Sequence, residues 1–130
     1  MADNFLLIDS DILIDVGRKN KTAIERLEKE REKAIAAISS VTQMELIVGC
    51  RNKTELKQLD EFLEDFEIVN IDFDITRKSI ELLKEYRLSH GLLIADSFIA
   101  ASSLILDIPL LTKNQKDFKF IKGLKLLKYP

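Results

Sequence analysis

The sequence predicts an α/β fold: a mainly parallel sheet of about five strands with helices on both faces. Three observations lead there. Strand-length segments rich in apolar residues recur at residues 5–8, 34–38, 66–71, 108–111 and 124–127. Segments with helical spacing separate the first four. The first run, Phe5-Leu6-Leu7-Ile8, is apolar throughout instead of alternating, which is the pattern of a strand buried on both faces.

The elements follow in order. Asp9-Ser10-Asp11 ends the first strand, and Ile12, Leu13, Ile14 and Val16 begin a helix that stops near Gly17. Residues 21–33 read as a helix with a narrow apolar stripe at Ile24 and Leu27 and many Glu/Lys pairs on a solvated face. After the second strand, Thr42 starts a helix ending at about Gly49. Residues 54–65 form another, with Leu56, Leu59, Phe62 and Leu63 on one face. The third strand leads into a helix over 72–87, capped by Asp72, and Ser89-His90-Gly91 reads as a break. Residues 94–106 form a strongly apolar helix whose small residues suit close packing. The fourth strand has Pro109 near its start, and Leu124–Leu127 is the fifth.

Composition bounds the function. The 130 residues read as one domain over 1–130, large enough for a real core. A single cysteine, Cys50, excludes an internal disulfide and points to a reducing, cytoplasmic setting. Its neighbours offer no base, so it reads as a structural thiol. No basic region precedes the first apolar run, so that run does not read as a signal peptide, and no stretch is long enough to span a membrane. A net charge of -2 gives no support to a broad nucleic-acid-coating surface. No glycine-rich phosphate loop is present, and one histidine, His90, cannot make a zinc site.

The chemistry lies in four acidic positions set against apolar or helical segments: Asp9, Glu45, Asp96 and Asp117. A carboxylate beside hydrocarbon is costly without a positive partner, and no Lys or Arg sits immediately beside the first three. Divalent cations held by converging carboxylates would satisfy them, which points to phosphodiester hydrolysis. Each position also has an ordinary structural alternative. Asp9 can be a helix N-cap, with Ser10 and Asp11 assisting a metal or Asp11 capping the helix; Asp15 reads as a surface charge. Thr42-Gln43-Met44-Glu45 is a capping box in which Glu45 reaches back to Thr42. Asp96 can cap its helix, although its flanks are unusually apolar. Asp117 can close a helical turn, and Asn114 can be a turn residue. Asp9 and the segment Thr112–Asp117 both follow strands and so belong at the carboxyl edge of the sheet, where ligands collect.

These pieces together resemble the PIN-domain ribonucleases of the VapC toxin type. The matching segments are Leu7–Ile14, Ser40–Leu46 with Gly49, Ile94–Ala101 and Leu111–Phe118, in family order over essentially the whole chain. The resemblance implies a compact three-layer α/β/α sandwich and a metal-dependent endoribonuclease using Mg²⁺ or Mn²⁺. It carries Asp9, Glu45 and Asp96 over as acidic metal ligands. Where the family often has a further acidic residue this chain has Asn114, two residues after Thr112 and three before Asp117, so either Asn114 or Asp117 completes the site. A carboxylate, Asp9 or Asp96, would orient the attacking water or accept its proton. Arg18, Lys19, Lys21, Lys113 and Lys116 are the candidates for phosphate contacts, against the alternative of scattered solvated charge.

By resemblance, such a toxin acts as a homodimer on an RNA substrate, with transfer RNA and other structured RNA as candidates. A cognate antitoxin encoded beside it silences it. Apolar residues Leu46, Ile47, Leu56, Leu59 and Leu63 serve that interface or, alternatively, core packing. Two rival readings stand beside this one. A haloacid-dehalogenase-like phosphatase also opens with Asp-x-Asp after its first strand, but this chain lacks its late Asp-Asp pair. A non-catalytic PIN-like or receiver-like binding module is the other; a receiver would need Asp72 as phosphoacceptor, a residue that reads better as a cap.

Overall fold

The computed structural model describes residues 4–130. Four parallel strands form one sheet in the order β3-β2-β1-β4. They are β1 (Phe5–Ile8), β2 (Ile35–Ser39), β3 (Glu67–Val69) and β4 (Leu110–Leu111). The helices are α1 (Ser10–Gly17), α2 (Lys21–Arg31), α3 (Ser40–Val48), α4 (Lys53–Leu63), α5 (Phe73–His90) and α6 (Ile94–Leu106), followed by a 3-10 turn at Gln115–Asp117.

Strand side chains alternate between two faces, and each face has its own core. Leu6, Ile8, Ala36, Ile38 and Leu111 pack with Ile12, Leu13, Leu27, Leu63 and Phe66 from the α1–α4 side. Leu7 and Leu110 point the other way, onto Ile75, Leu82, Leu92, Ile99, Ala100, Ala101, Phe118 and Ile121. The result is the three-layer sandwich. Small buried residues let α6 lie close to the sheet and to α5, where the hydroxyls of Ser79 and Ser97 meet at 2.5 Å. Asn20, Ser39, Asn52 and Asp72 cap α2, α3, α4 and α5 with their side chains, so Asp72 is a cap as its position predicts.

Three expectations are corrected. The fifth strand reduces to a single bridge between Leu110 and Leu126. Its partner β4 has only two residues: Pro109 before it has no N–H to donate, and Thr112 after it turns into the site. The break at 89–91 is a break at Gly91 alone, because α5 runs on through Ser89 and His90 until Gly91 adopts the left-handed conformation at φ 71°. Helix α3 begins at Ser40 instead of Thr42, because the Ser39 hydroxyl accepts from Val41 N at 3.0 Å. Among the described residues no helix is long and apolar enough to cross a membrane.

Candidate active site

From β1 the chain steps outward to β2 and β3, then returns through α5 and α6 to β4 on the other side of β1. The carboxyl ends of β1 and β4 therefore flank a topological switch point, the place where open α/β sheets bind ligands. Asp9 directly follows β1 and Thr112 directly follows β4.

Asp9 is both cap and site residue. Its Oδ1 accepts from Ser10 N at 2.8 Å as the N-cap of α1, and its Oδ2 accepts from Thr112 Oγ1 at 2.8 Å. Only 6% of the residue is exposed. Asp11 does not cap α1, as Asp9 takes that place. Instead its Oδ2 accepts from Lys113 N at 3.1 Å and Asn114 N at 3.0 Å, and lies 3.1 Å from Thr112 Oγ1. Asp11 thus ties the loop after β4 to the helix after β1. Its other oxygen, Oδ1, is buried without a partner. Sequence reading missed this role because the donors are about a hundred residues away and two of them are backbone.

Glu45 projects from α3 as an exposed residue. The capping box does not form: Ser39 is the cap, and Thr42 lies inside the helix, buried, with its hydroxyl unpartnered. Glu45 is consequently not committed to Thr42. Asp96 sits half-buried in the first turn of α6, whose cap position is Leu93, so Asp96 is not a cap either. Asp117 is exposed at the end of the 3-10 turn. Asn114 takes the cap position of that turn without a side-chain capping bond.

The carboxylates act on one another. Burial first, then the Asp11 charge, push the Asp9 carboxyl up to about 7; Asp96 adds to this, while the bonds from Thr112 and Ser10 pull down. Burial, then the charges of Asp117, Glu45 and Asp11, push Asp96 up to about 6. Burial raises Glu45, with the Ser10 side chain opposing and Asp11 adding. Five acidic residues from four parts of the chain therefore share one electrostatic neighbourhood. Among the described residues no three ligating groups draw together tightly enough to grip an ion by themselves.

The donor set nevertheless fits a hard divalent cation. Every candidate ligand is an oxygen. Mg²⁺ in particular is held by one or two carboxylates together with waters and substrate phosphates, not by a closed protein cage. The orphaned Asp11 Oδ1 and the raised Asp9 and Asp96 are lone pairs and charges that the protein itself leaves uncompensated.

The candidate phosphate-binding cations are scattered. Lys113 Nζ is bound to Asp15 Oδ2 at 3.0 Å, and Asp15, expected to be a plain surface charge, has only 13% of its side chain exposed. Lys21 pairs with Glu25 at 3.8 Å. Arg18 and Lys19 follow the far end of α1, about 12 Å along its axis from Asp9. Lys116 lies in the 3-10 turn, exposed and next to Asp117. Of the apolar residues assigned to a partner or to the core, Leu63 is buried, and Leu46 and Leu59 pack against the core. Ile47 and Leu56 are exposed, as are Met44 and Val48.

Comparison with known proteins agrees with this geometry. The PIN domain family model matches residues 6–124. "Ribonuclease VapC1" of Methanocaldococcus jannaschii is 36% identical over 125 residues, covering 93% of this chain and 85% of the relative. "Ribonuclease VapC10" of Mycobacterium tuberculosis is 32% identical, covering 92% and 90%. Among solved structures, VapBC2 from Rickettsia felis, bound to a promoter DNA fragment, superposes with a TM-score of 0.83 at 27% identity, covering 97% of this chain and 99% of that one. A toxin–antitoxin complex from Klebsiella pneumoniae gives 0.79 at 32% identity, covering 95% and 96%. A family model spanning nearly the whole chain, together with such relatives, shows that the chain belongs to the PIN-domain family, on its VapC branch.

Proposed function

We propose that the chain is a metal-dependent endoribonuclease that hydrolyses RNA phosphodiester bonds, acting in the cytoplasm as the toxin of a type II toxin–antitoxin pair. The observation that carries this reading is the buried Asp9 carboxyl at the β1/β4 switch point, fixed by Thr112, with the charges of Asp11 and Asp96 acting on it and those of Asp117 and Glu45 acting in turn on Asp96. The VapC ribonucleases at 36% and 32% identity support the activity, and the Klebsiella toxin–antitoxin complex supports the partner.

Asp9, Glu45 and Asp96 would hold Mg²⁺ or Mn²⁺, with Asp117 the better-placed fourth ligand because its charge acts on Asp96 while Asn114 contributes none. When bound, the cation lowers the pKa of a water and offsets charge on the scissile phosphate. The chain's own groups do the rest. Thr112 and Ser10 N hold Asp9 in one orientation. Asp96 is held by no comparable bond, so it is free to orient the attacking water and accept its proton. Asp11 holds the 112–114 loop so that the rim keeps its shape. The exposed α3 row of Met44, Ile47 and Val48 offers apolar surface to an antitoxin or to a second copy. The phosphatase alternative fits less well, because the chain has no Asp-Asp pair after the Asp9-Ser10-Asp11 opening.

The test is cleavage of a mixed RNA pool with Mg²⁺ or Mn²⁺ by the wild-type chain, Asp9→Asn and Asp96→Asn. Cleavage that needs the cation and falls at least about a hundred-fold in both variants supports the reading. Cleavage that survives in both variants sinks the proposed site.

A further inference from the structure

We propose that His90 and Phe120 form a stacking platform for an unpaired base of the RNA, next to the acidic cluster; this rests on the ribonuclease reading above. The two rings lie parallel, with centroids 4.2 Å apart and planes 10° apart. Tyr86 meets both edge-on, at 5.9 Å from His90 and 5.3 Å from Phe120. His90 is exposed at the last residue of α5. No third ring is stacked on it among the described residues.

The platform is built, not incidental. Gly91 stops α5 directly after His90. The Ser89 hydroxyl lies 2.7 Å from His90 Nδ1 and sets the ring's orientation. The Tyr86 hydroxyl accepts from Lys122 N at 3.1 Å, which fastens the 118–122 segment to α5 and holds Phe120 against the imidazole. Such a preformed aromatic face needs no reordering to receive a base.

Its place suits a nucleotide near the scissile bond. Phe120 is three residues beyond Asp117, so their backbones lie within about 11 Å of each other. Asp117 in turn is the charge that acts most strongly on Asp96. His90 lies six residues before Asp96, across a three-residue connection between α5 and α6.

The surrounding charge is complementary to a phosphate backbone. Lys116, Lys119 and Lys122 are exposed, and neither they nor Arg87 has an acidic partner among the described residues. Lys113 and Lys21, by contrast, are spent on Asp15 and Glu25. An aromatic face rimmed by unpaired cations is how proteins take single-stranded nucleic acid, since every base offers a π-face. The inference is therefore that cleavage selects a site where a base can leave its stack.

The test measures binding of short single-stranded RNAs, each carrying one 2-aminopurine, to the full chain in the Asp96→Asn background so that the RNA stays intact. Stacking should quench the probe at one preferred position. His90→Ala and Phe120→Ala should each weaken binding by about ten-fold and abolish that quench. His90→Phe should restore both, because it keeps the stacking face. In the active background the same variants should raise KM with kcat little changed. Unchanged affinity and quench in both alanine variants, with metal-dependent cleavage by the wild type intact, would overturn the platform and leave the ribonuclease reading standing. His90→Phe behaving like His90→Ala would also overturn it. So would a change in sedimentation with RNA affinity unaltered, which would make the stack a protein contact. No RNA binding or cleavage by the wild type would remove both readings.

Discussion

The Thr112 hydroxyl donates to Asp9 Oδ2 at 2.8 Å, joining residues 103 positions apart at the ends of two neighbouring parallel strands. Thr112 is fully buried and Asp9 nearly so. A buried hydrogen bond to a carboxylate is worth about 1.5–3 kcal/mol. Thr112→Val keeps the shape and removes the donor. We expect it to lower unfolding free energy by about 1–3 kcal/mol at neutral pH. The Asp9 carboxyl should also titrate higher, because the bond that pulls it down is gone. Urea denaturation and a carboxyl NMR titration check both effects; a variant as stable as wild type with Asp9 unmoved would show that the bond is not made.

The raised carboxyls set a pH dependence of stability. Asp9 and Asp96 stand at about 7 and about 6 in the fold, against an ordinary value of 3.8. Between those values the folded chain binds more protons than the unfolded one, so stability falls as pH rises from about 4 to about 7. The change is a few kcal/mol at most, chiefly from the more deeply buried Asp9. A divalent cation favours the ionised forms, so its stabilising effect should grow over the same window. Asp9→Asn should flatten most of the slope and be more stable than wild type at neutral pH without cation. Thermal unfolding at a series of pH values, with and without Mg²⁺, decides this; stability that rises through the window would contradict the buried cluster.

Much of this was legible in sequence where the information is local. The apolar run before Asp9, the helical spacing of 94–106 and the cap at Asp72 each depend on neighbours in the chain, and each element forms where expected. The acidic positions stood out as candidates because a carboxylate among apolar neighbours is costly, and the structure brings Asp9 and Asp96 into one electrostatic neighbourhood. What sequence could not show was pairing across distance. The Asp11 contacts to Lys113 N and Asn114 N use backbone donors, which carry no residue signature. The fifth strand looked sound by composition and failed because β4 is too short to support a ladder. The Thr42–Glu45 capping box matched in pattern, but Ser39 stands three residues earlier and starts the helix first.

Gly91 is the hinge between α5 and α6, and so between His90 and the first turn that carries Asp96. Its φ of 71° lies in the left-handed region, and a Cβ there would meet nothing within 4 Å. The penalty for a side chain is thus purely conformational. Gly91→Ala should cost about 1–2 kcal/mol, and Gly91→Asn less, since Asn tolerates that conformation. Denaturation midpoints of the two variants check the order; an alanine variant at wild-type stability would show that α5 does not end in this cap.

Thr42 poses the opposite question to Thr112. It is fully buried within α3, and its Oγ1 has no hydrogen-bond partner. A buried hydroxyl without a partner costs about 1–3 kcal/mol relative to an apolar group of the same shape. Thr42→Val should therefore stabilise the fold by roughly 1 kcal/mol, the reverse of the change at Thr112. RNA cleavage should be unchanged, because Glu45, one turn along α3, does not depend on Thr42 for its position. Paired measurements of denaturation midpoint and cleavage rate separate the outcomes. A stable variant with lost cleavage would place the Thr42 hydroxyl in the site, and a loss of stability would mean that the hydroxyl is satisfied by a buried water that valine displaces.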